Sequence, residues 1–372
     1  MNFSISRDSF SHLLYLTSSV VERKNTMPIL ANVKLDVADG KLLVTATNIE
    51  VSLVGEAECS VTTPGSITVD ARVLYDILRE LPNEMVTVAA AKGARLELHC
   101  GASRFKINGT SADEFPQIKG VTLDKPISID APVIFEMLNK TMFAVSTDET
   151  RYNISGIYIE SIQNEAKEQC LRFVATDGHR LALIDRPIEG FGVGQPVIIP
   201  RKAINEIKKV LEGNEAGALA EVRDGLFTLR SGLITVCVRL VDGQFPDYQL
   251  VIPKVEKTGI DVPRNEILAA AKRVSLVTTD KTKTVRCRIE DGSLTITSQS
   301  PEYGEASESI KVEKTGEDLS IGFSARYLID ALNIFGDEEI VHVSFSGDLG
   351  PGVLTGSGTP GFTSIIMPMR FE

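Results

Sequence analysis

No apolar run in these 372 residues approaches the ~18 that a membrane span requires, and the opening MNFSISRDSF is not a basic segment leading into an apolar one. A cytoplasmic location is expected, with no membrane partner. Cysteine is sparse: Cys59, Cys100, Cys170, Cys237 and Cys287 are odd in number, scattered and without a CxxC pair. That signals neither a disulfide framework nor a zinc site, so buried reduced thiols are expected. His12, His99, His179 and His342 show no paired spacing, and GxSxG, HExxH and EF-hand patterns are missing. The glycines within 190–194 and 356–358 lack the strand, helix and following Lys of a phosphate loop. No metal or cofactor is expected, and nothing marks an enzyme. Positive charge is also short, 39 Lys and Arg against 50 Asp and Glu, and a net charge of −11 taken alone disfavours nucleic acid.

What is present is an ordinary globular composition, 43% apolar and 24% charged, with room for two or three domains. It is arranged as a repeat. Residues 42–53 (LLVTATNIEVSL), 171–184 (LRFVATDGHRLALI) and 294–307 (LTITSQSPEYGEAS) each read as an apolar alternation, a polar turn and a second run. Aligning Ala46, Ala175 and Ser298 gives spacings of 129 and 123. Arg72, Lys202 and Arg326, each opening a helix pattern after a strand end, lie 130 and 124 apart. Phe115-Pro116, Phe245-Pro246 and Met367-Pro368 lie 130 and 122 apart. Three markers of different character share one period, which argues for a triplicated domain of about 125 residues.

The apolar spacing predicts helices over 9–24, 71–81, 131–145, 201–211, 264–277 and 325–335. Arg7-Asp8-Ser9, Asp70 and Asp130 are read as N-terminal caps, and Pro82 as a stop. Strands are expected from 29 to about 68, broken by an Ala38-Asp39-Gly40 turn, and again over 85–107. Residues 121–125 and 251–258 read as linkers, giving domains 1–122, 123–253 and 254–372. Hairpins in every unit, with no helix between successive strands, predict antiparallel sheet and an α+β class. The six helices together carry +6, leaving −17 for the rest of the chain. Such an asymmetry suits one surface that faces a polyanion while the others repel it.

Asp177 and His179 invite an acid–base or metal reading. The other copies have Asn48 with Glu50 and Ser300 with Glu302, so that chemistry is not repeated, and Asp177-Gly178 reads more simply as a hairpin turn.

The triplication, ATDGHRLA at 175–182, LVDGQFPDY at 240–248, MPIL at 27–30 and MPMRF at 367–371 together resemble the family of bacterial DNA polymerase III beta subunits, the replicative sliding clamps. The likeness spans nearly the whole chain. It implies three tandem clamp domains, two helices packed on antiparallel sheets in each, and a head-to-tail homodimer closing a six-domain ring around duplex DNA. The function implied is non-enzymatic: processivity for the replicative polymerase. The catalytic polymerase subunit, the clamp loader, other polymerases and mismatch-repair proteins would dock through linear motifs. Basic helices would then face the channel, and loose phosphate contact would permit sliding.

By the same resemblance, the partner-peptide pocket would comprise Ile154, Thr176, Gly178, His179, Arg180, Leu181, Pro246, Val251, Ile365, Met367, Pro368, Met369 and Arg370. DNA contacts would come from Lys24, Arg72, Tyr152, Lys202, Ser324 and Tyr327. The dimer seam would use Arg104 and Phe105 on one side and Leu276, Val277, Glu302 and Glu305 on the other. The chain departs from the family at Leu250, where an arginine is usual, at Asp148-Glu149 in place of His-Gln, and at Thr282, an aromatic tip position flanked by Lys281 and Lys283. It also runs one residue past the usual end, with Phe371-Glu372. Two other classes stay open on sequence: a hydrolase using Asp177 and His179, and a clamp-fold scaffold that binds only proteins.

Overall fold

The computed structural model describes every residue except 23–26, 92, 165, 189–192, 279–283 and 371–372. All six expected helices form: α1 (Arg7–Thr17), α2 (Ala71–Glu80), α3 (Ala131–Met142), α4 (Arg201–Leu211), α5 (Arg264–Val274) and α6 (Ala325–Ile334). The strands pair antiparallel, which makes the class α+β. Contacts divide the chain into two compact units, residues 1–135 with 199–241 and residues 136–198 with 242–372.

In the first unit a thirteen-stranded sheet joins elements of two repeats, because Val51–Glu58 pairs with Ile234–Arg239 and sets Leu53 opposite Val236. Alternation of buried and exposed residues along Asn32–Ala38 aims Val33, Leu35 and Val37 inward. Helix α1 lies on Val51–Glu58 at Gly55, where an added Cβ would stand 2.3 Å from Leu13 Cδ1. Phe3 and Phe10, both fully buried, meet edge to face at 6.1 Å.

In the second unit the strands Gly156–Gln163, Gln169–Thr176, Arg180–Pro187, Phe362–Ile366, Gly352–Gly356, Ile340–Phe345, Thr258–Pro263 and Glu313–Gly316 follow one another across a sheet. Middle and third repeats are thus stitched together where Arg180–Pro187 pairs with Phe362–Ile366. A four-stranded sheet, Gly304–Lys311, Ser293–Ser300, Thr284–Glu290 and Leu319–Ser324, completes the unit with α5 and α6.

Local chemistry explains the borders. Asp70 Oδ1 accepts from the Val73 N–H at 2.8 Å and Asp130 Oδ1 from Val133 at 3.3 Å, as expected of caps. The first helix differs: Ser6 is its cap, accepting from the Ser9 N–H at 3.1 Å, and α1 stops at Thr17 rather than 24. There Thr17, Ser18 and Ser19 donate back to the carbonyls of Leu13, Leu14 and Leu16, and the chain tightens into a 3-10 turn over Ser18–Val20. Likewise α3 ends at Met142 and α5 at Val274, each short of its expected end. Pro28–Ala31 is a 3-10 turn, so the strand expected from 29 begins at Asn32. Asp39 and Gly40, at φ +50° and +77°, make the expected tight hairpin.

Four of the cysteines are buried and Cys59 is half-buried, all unpaired. Burial pushes the Cys237 thiol up to about 11 and Cys287 to about 12, so neither offers thiolate near neutrality. Among the described residues no helix is long and apolar enough to cross a membrane, and no His, Cys, Asp and Glu cluster could hold a metal.

Candidate functional site

The 175–181 stretch is a hairpin turn whose side chains satisfy its own backbone. Thr176 Oγ1 donates to the Arg180 carbonyl (2.7 Å) and accepts from the Gly178 N–H (3.0 Å). Asp177 Oδ1 accepts from the N–H groups of His179 (3.0 Å) and Arg180 (3.1 Å). Gly178 sits at φ +90°, where a side chain is disfavoured. The carboxylate of Asp177 is therefore a turn cap, and its second oxygen meets Arg180 Nε at 3.0 Å. His179 is exposed and stacks on Tyr327 at 6.1 Å, so nothing here assembles the acid–base pair considered on sequence.

Three further segments converge on this turn. The Met367 N–H donates to the His179 carbonyl (2.9 Å), extending the pairing that sets Leu181 opposite Ile365. Arg151 Nη1 donates to the Asp177 carbonyl (3.0 Å). Asp247 caps the 3-10 turn Tyr248–Val251 by accepting from the Gln249 N–H (3.2 Å). Together they enclose a cavity of about 230 Å³. Nine of the thirteen expected residues line it: Ile154, Thr176, Gly178, Arg180, Leu181, Pro246, Val251, Ile365 and Met367. His179, Pro368, Met369 and Arg370 lie outside that lining, with Met369 tied by its N–H to the Gly322 carbonyl at 2.8 Å. Leu250, at the family's arginine position, is 83% exposed.

Sequence reasoning missed Arg151, Asp247 and Tyr248, which also line the cavity. The Phe-Pro-Asp-Tyr segment carried a signal for two of them, since an Asp before a short turn is a cap. Arg151 reaches a carbonyl 26 residues away, which no local pattern announces. Tyr248 is pinned from behind: its hydroxyl donates to Glu160 and accepts from Arg172 Nη1 (3.1 Å), while Arg172 grips Asp185 with two bonds of 2.7 and 2.6 Å. Those bonds raise the Arg172 pKa despite its burial. Beside it, burial and the Glu160 carboxylate push Tyr158 up to about 12. Both phenols stay neutral.

None of the described residues expected to meet DNA is in the cavity lining, and with one exception none is seen to touch Arg180 there. Arg72 is exposed in the first turn of α2, 3.6 Å from Asp76, and Lys202 in the first turn of α4 lies 3.2 Å from Glu22. Tyr152 is 60% exposed and crosses Gly243, where an added Cβ would be 2.9 Å from the ring. Ser324 is buried as the cap of α6, accepting from the Tyr327 N–H. Tyr327 is the exception, its ring 4.6 Å from the Arg180 guanidinium. Lys24, Lys281, Thr282, Lys283 and Phe371-Glu372 lie outside the described residues. In the loop at 148, Asp148 is turned onto Thr150, whose hydroxyl and N–H hold its carboxyl below the usual range.

Arg104 and Phe105 lie on Ser103–Thr110, which pairs with Gly65–Asp70 only at Gly109 and Thr110. Among the described residues, its 103–108 stretch has a free edge. Phe105 is half-buried there and not a core residue. Glu305 lies on Gly304–Lys311, the outer strand of the four-stranded sheet, near the exposed Glu302 in sequence. Leu276 is 79% exposed and Val277 half-exposed.

The chain is a triplicated antiparallel α+β protein with an apolar cavity where two repeats meet, and known proteins share that build. Family models match along the chain: the DNA polymerase III beta subunit N-terminal domain over residues 1–119, its central domain over 128–247 and its C-terminal domain over 249–370. The beta sliding clamp of Caulobacter vibrioides is 34% identical over 373 residues, with 100% of both chains covered. Among solved structures, the Caulobacter crescentus pol III beta has a TM-score of 0.95 at 33% identity, and the DNA polymerase III subunit beta from Pseudomonas aeruginosa 0.93 at 31%. Each covers 100% of this chain and is itself covered to 100%. The chain belongs to the bacterial DNA polymerase III beta subunit family, the sliding clamps. It is a non-catalytic polymerase subunit built of three tandem clamp domains.

Proposed function

We propose that two copies join head to tail into a six-domain ring that encircles duplex DNA without sequence preference, and that the ring confers processivity on the replicative polymerase in the cytoplasm. Domain borders fall near residues 122 and 253. The catalytic polymerase subunit, the clamp loader, other polymerases and mismatch-repair proteins engage by linear motifs that enter the cavity beside the 175–181 turn. The observation that carries this reading is the cavity itself: Ile154, Leu181, Val251, Ile365 and Met367 offer apolar walls and a soft methionine rim suited to Leu and Phe anchors. His179, Pro368, Met369 and Arg370 extend its rim.

Arg72, Tyr152, Lys202, Tyr327 and Lys24 contact the phosphates, while Ser324 supports α6 as its cap. Ring closure uses the free edge bearing Arg104 and Phe105 against Leu276, Val277, Glu302 and Glu305 of a second copy. Opposite charge and an exposed leucine support that pairing.

Sedimentation equilibrium at micromolar concentration tests the ring. The wild type is expected at about 81 kDa, twice the 40.4 kDa chain. Phe105→Ala should fall toward one chain and lose retention on circular DNA; a wild-type monomer would refute the ring.

A further inference from the structure

We infer that Asp330 of α6 is a positioning residue for partner capture: it fixes the Arg180 guanidinium so that Nη2 donates to an oxygen acceptor of the peptide entering the cavity. This rests on the reading of that cavity as the peptide pocket. Arg180 is only 7% exposed, although it lines the cavity. Its Nε meets Asp177 Oδ2 at 3.0 Å and its Nη1 meets Asp330 Oδ2 at 2.6 Å. The guanidinium also lies 5.2 Å from the centre of the Phe143 ring and 4.6 Å from that of Tyr327. Among the described residues no acceptor meets Nη2.

A guanidinium is a rigid planar fork, so holding two of its nitrogens decides where the third points. Nη2 is not sealed from solvent, so it stays within reach of an incoming ligand, and a charge-assisted hydrogen bond favours a ligand that supplies the acceptor. The two anchors differ in origin. Asp177 belongs to the same turn as Arg180, whereas Asp330 reaches over from the third repeat, with Arg326 Nε 3.8 Å away as its only other ion-pair partner among the described residues. The donor is therefore aimed only when α6 and the turn are held together, and Asp330 contributes to affinity without lining the cavity.

The acceptor is a peptide oxygen, from either a main-chain carbonyl or a terminal carboxylate. Fluorescence anisotropy on the full-length protein distinguishes them, using a labelled octapeptide with Leu and Phe near its C-terminus in free-acid and amidated forms. Asp330→Asn should raise Kd about tenfold, Asp330→Glu should recover most of that, and in an Arg180→Lys background Asp330→Asn should change nothing further. Loss on amidation of the peptide assigns the carboxylate, and equal binding of both forms assigns the carbonyl. Wild-type affinity in Asp330→Asn, or an equal loss with and without Arg180, would overturn the inference while leaving the pocket standing. If the wild type binds neither peptide, the pocket reading falls and takes this inference with it. Should Asp330→Asn not fold, Asp330→Glu carries the same cycle, with a loss of about threefold expected only where Arg180 is intact.

Discussion

The two units contain the same seam built twice. In the first, the turn after Thr47 leads into Val51–Glu58, and the Arg239 N–H donates to the Glu50 carbonyl at 2.8 Å. In the second, the turn after Thr176 leads into Arg180–Pro187, and the Met367 N–H donates to His179 at 2.9 Å. Even the internal bonds correspond: Thr47 Oγ1 donates to the Val51 carbonyl and Asn48 Oδ1 accepts from the Val51 N–H, as Thr176 and Asp177 do with Arg180. The backbone is one design; the side chains diverge. Where the first seam has Val51 and Arg239, the second has Arg180 and Met367, and the second is lined as a cavity. One repeated frame thus carries different side chains at its two seams.

Core truncation on each side should separate those roles most strongly. Leu53 and Leu181 are both almost fully buried, and Leu53→Ala or Leu181→Ala should each lose about 2–5 kcal/mol by chemical denaturation. Only Leu181→Ala should also weaken peptide binding. If Leu53→Ala weakened it equally, the functional contrast between the seams would fail. A smaller effect is expected at the turns. Ile49 sits at φ +80°, a region that disfavours β-branched residues, while Gly178 occupies the matching position at φ +90°. Gly178→Ile should destabilise by about 1–2 kcal/mol, and Ile49→Gly should be neutral or stabilising, because relief of strain offsets the added unfolded-chain freedom.

The smallest effect concerns pH. At matching points of the two units, Ser4 faces Thr87 in the first and Asp261 faces His342 in the second. Burial opposes the charged imidazole, yet bonds to Asp261 (2.7 Å) and Glu256 (3.2 Å) outweigh it and raise the His342 pKa. A raised value in the folded state stabilises fully below the unfolded pKa of about 6.5, and the gain fades as pH rises through the folded value. Relative to His342→Gln, the wild-type melting temperature should therefore drop by about 1–2 °C on going from pH 6 to above the folded value. A pH-independent difference would remove the charged pair from the account.

Much of the frame was legible because its signals are local. Asp70 and Asp130 announce helix starts by supplying an acceptor to the next turn, and Asp39-Gly40 and Asp177-Gly178 announce hairpins by tolerating positive φ. The end of α1 was misjudged because apolar spacing continues to Val20 while three hydroxyls compete for the last carbonyls. The apolar cavity lining came from resemblance, since residues as far apart as Ile154 and Met367 share no local pattern. Arg151 was missed for the same reason, as its partner lies across a fold the sequence does not write out.

By itself, the sequence determined the triplication, the helix starts and the turn chemistry, all consequences of contacts within a few residues. Tertiary structure alone decided that residues from the second and third repeats line one cavity beside the 175–181 turn, and that Asp330 holds Arg180 from 150 residues away. Burial and a shared guanidinium are properties of space, and they exist only once the strands Arg180–Pro187 and Phe362–Ile366 have paired.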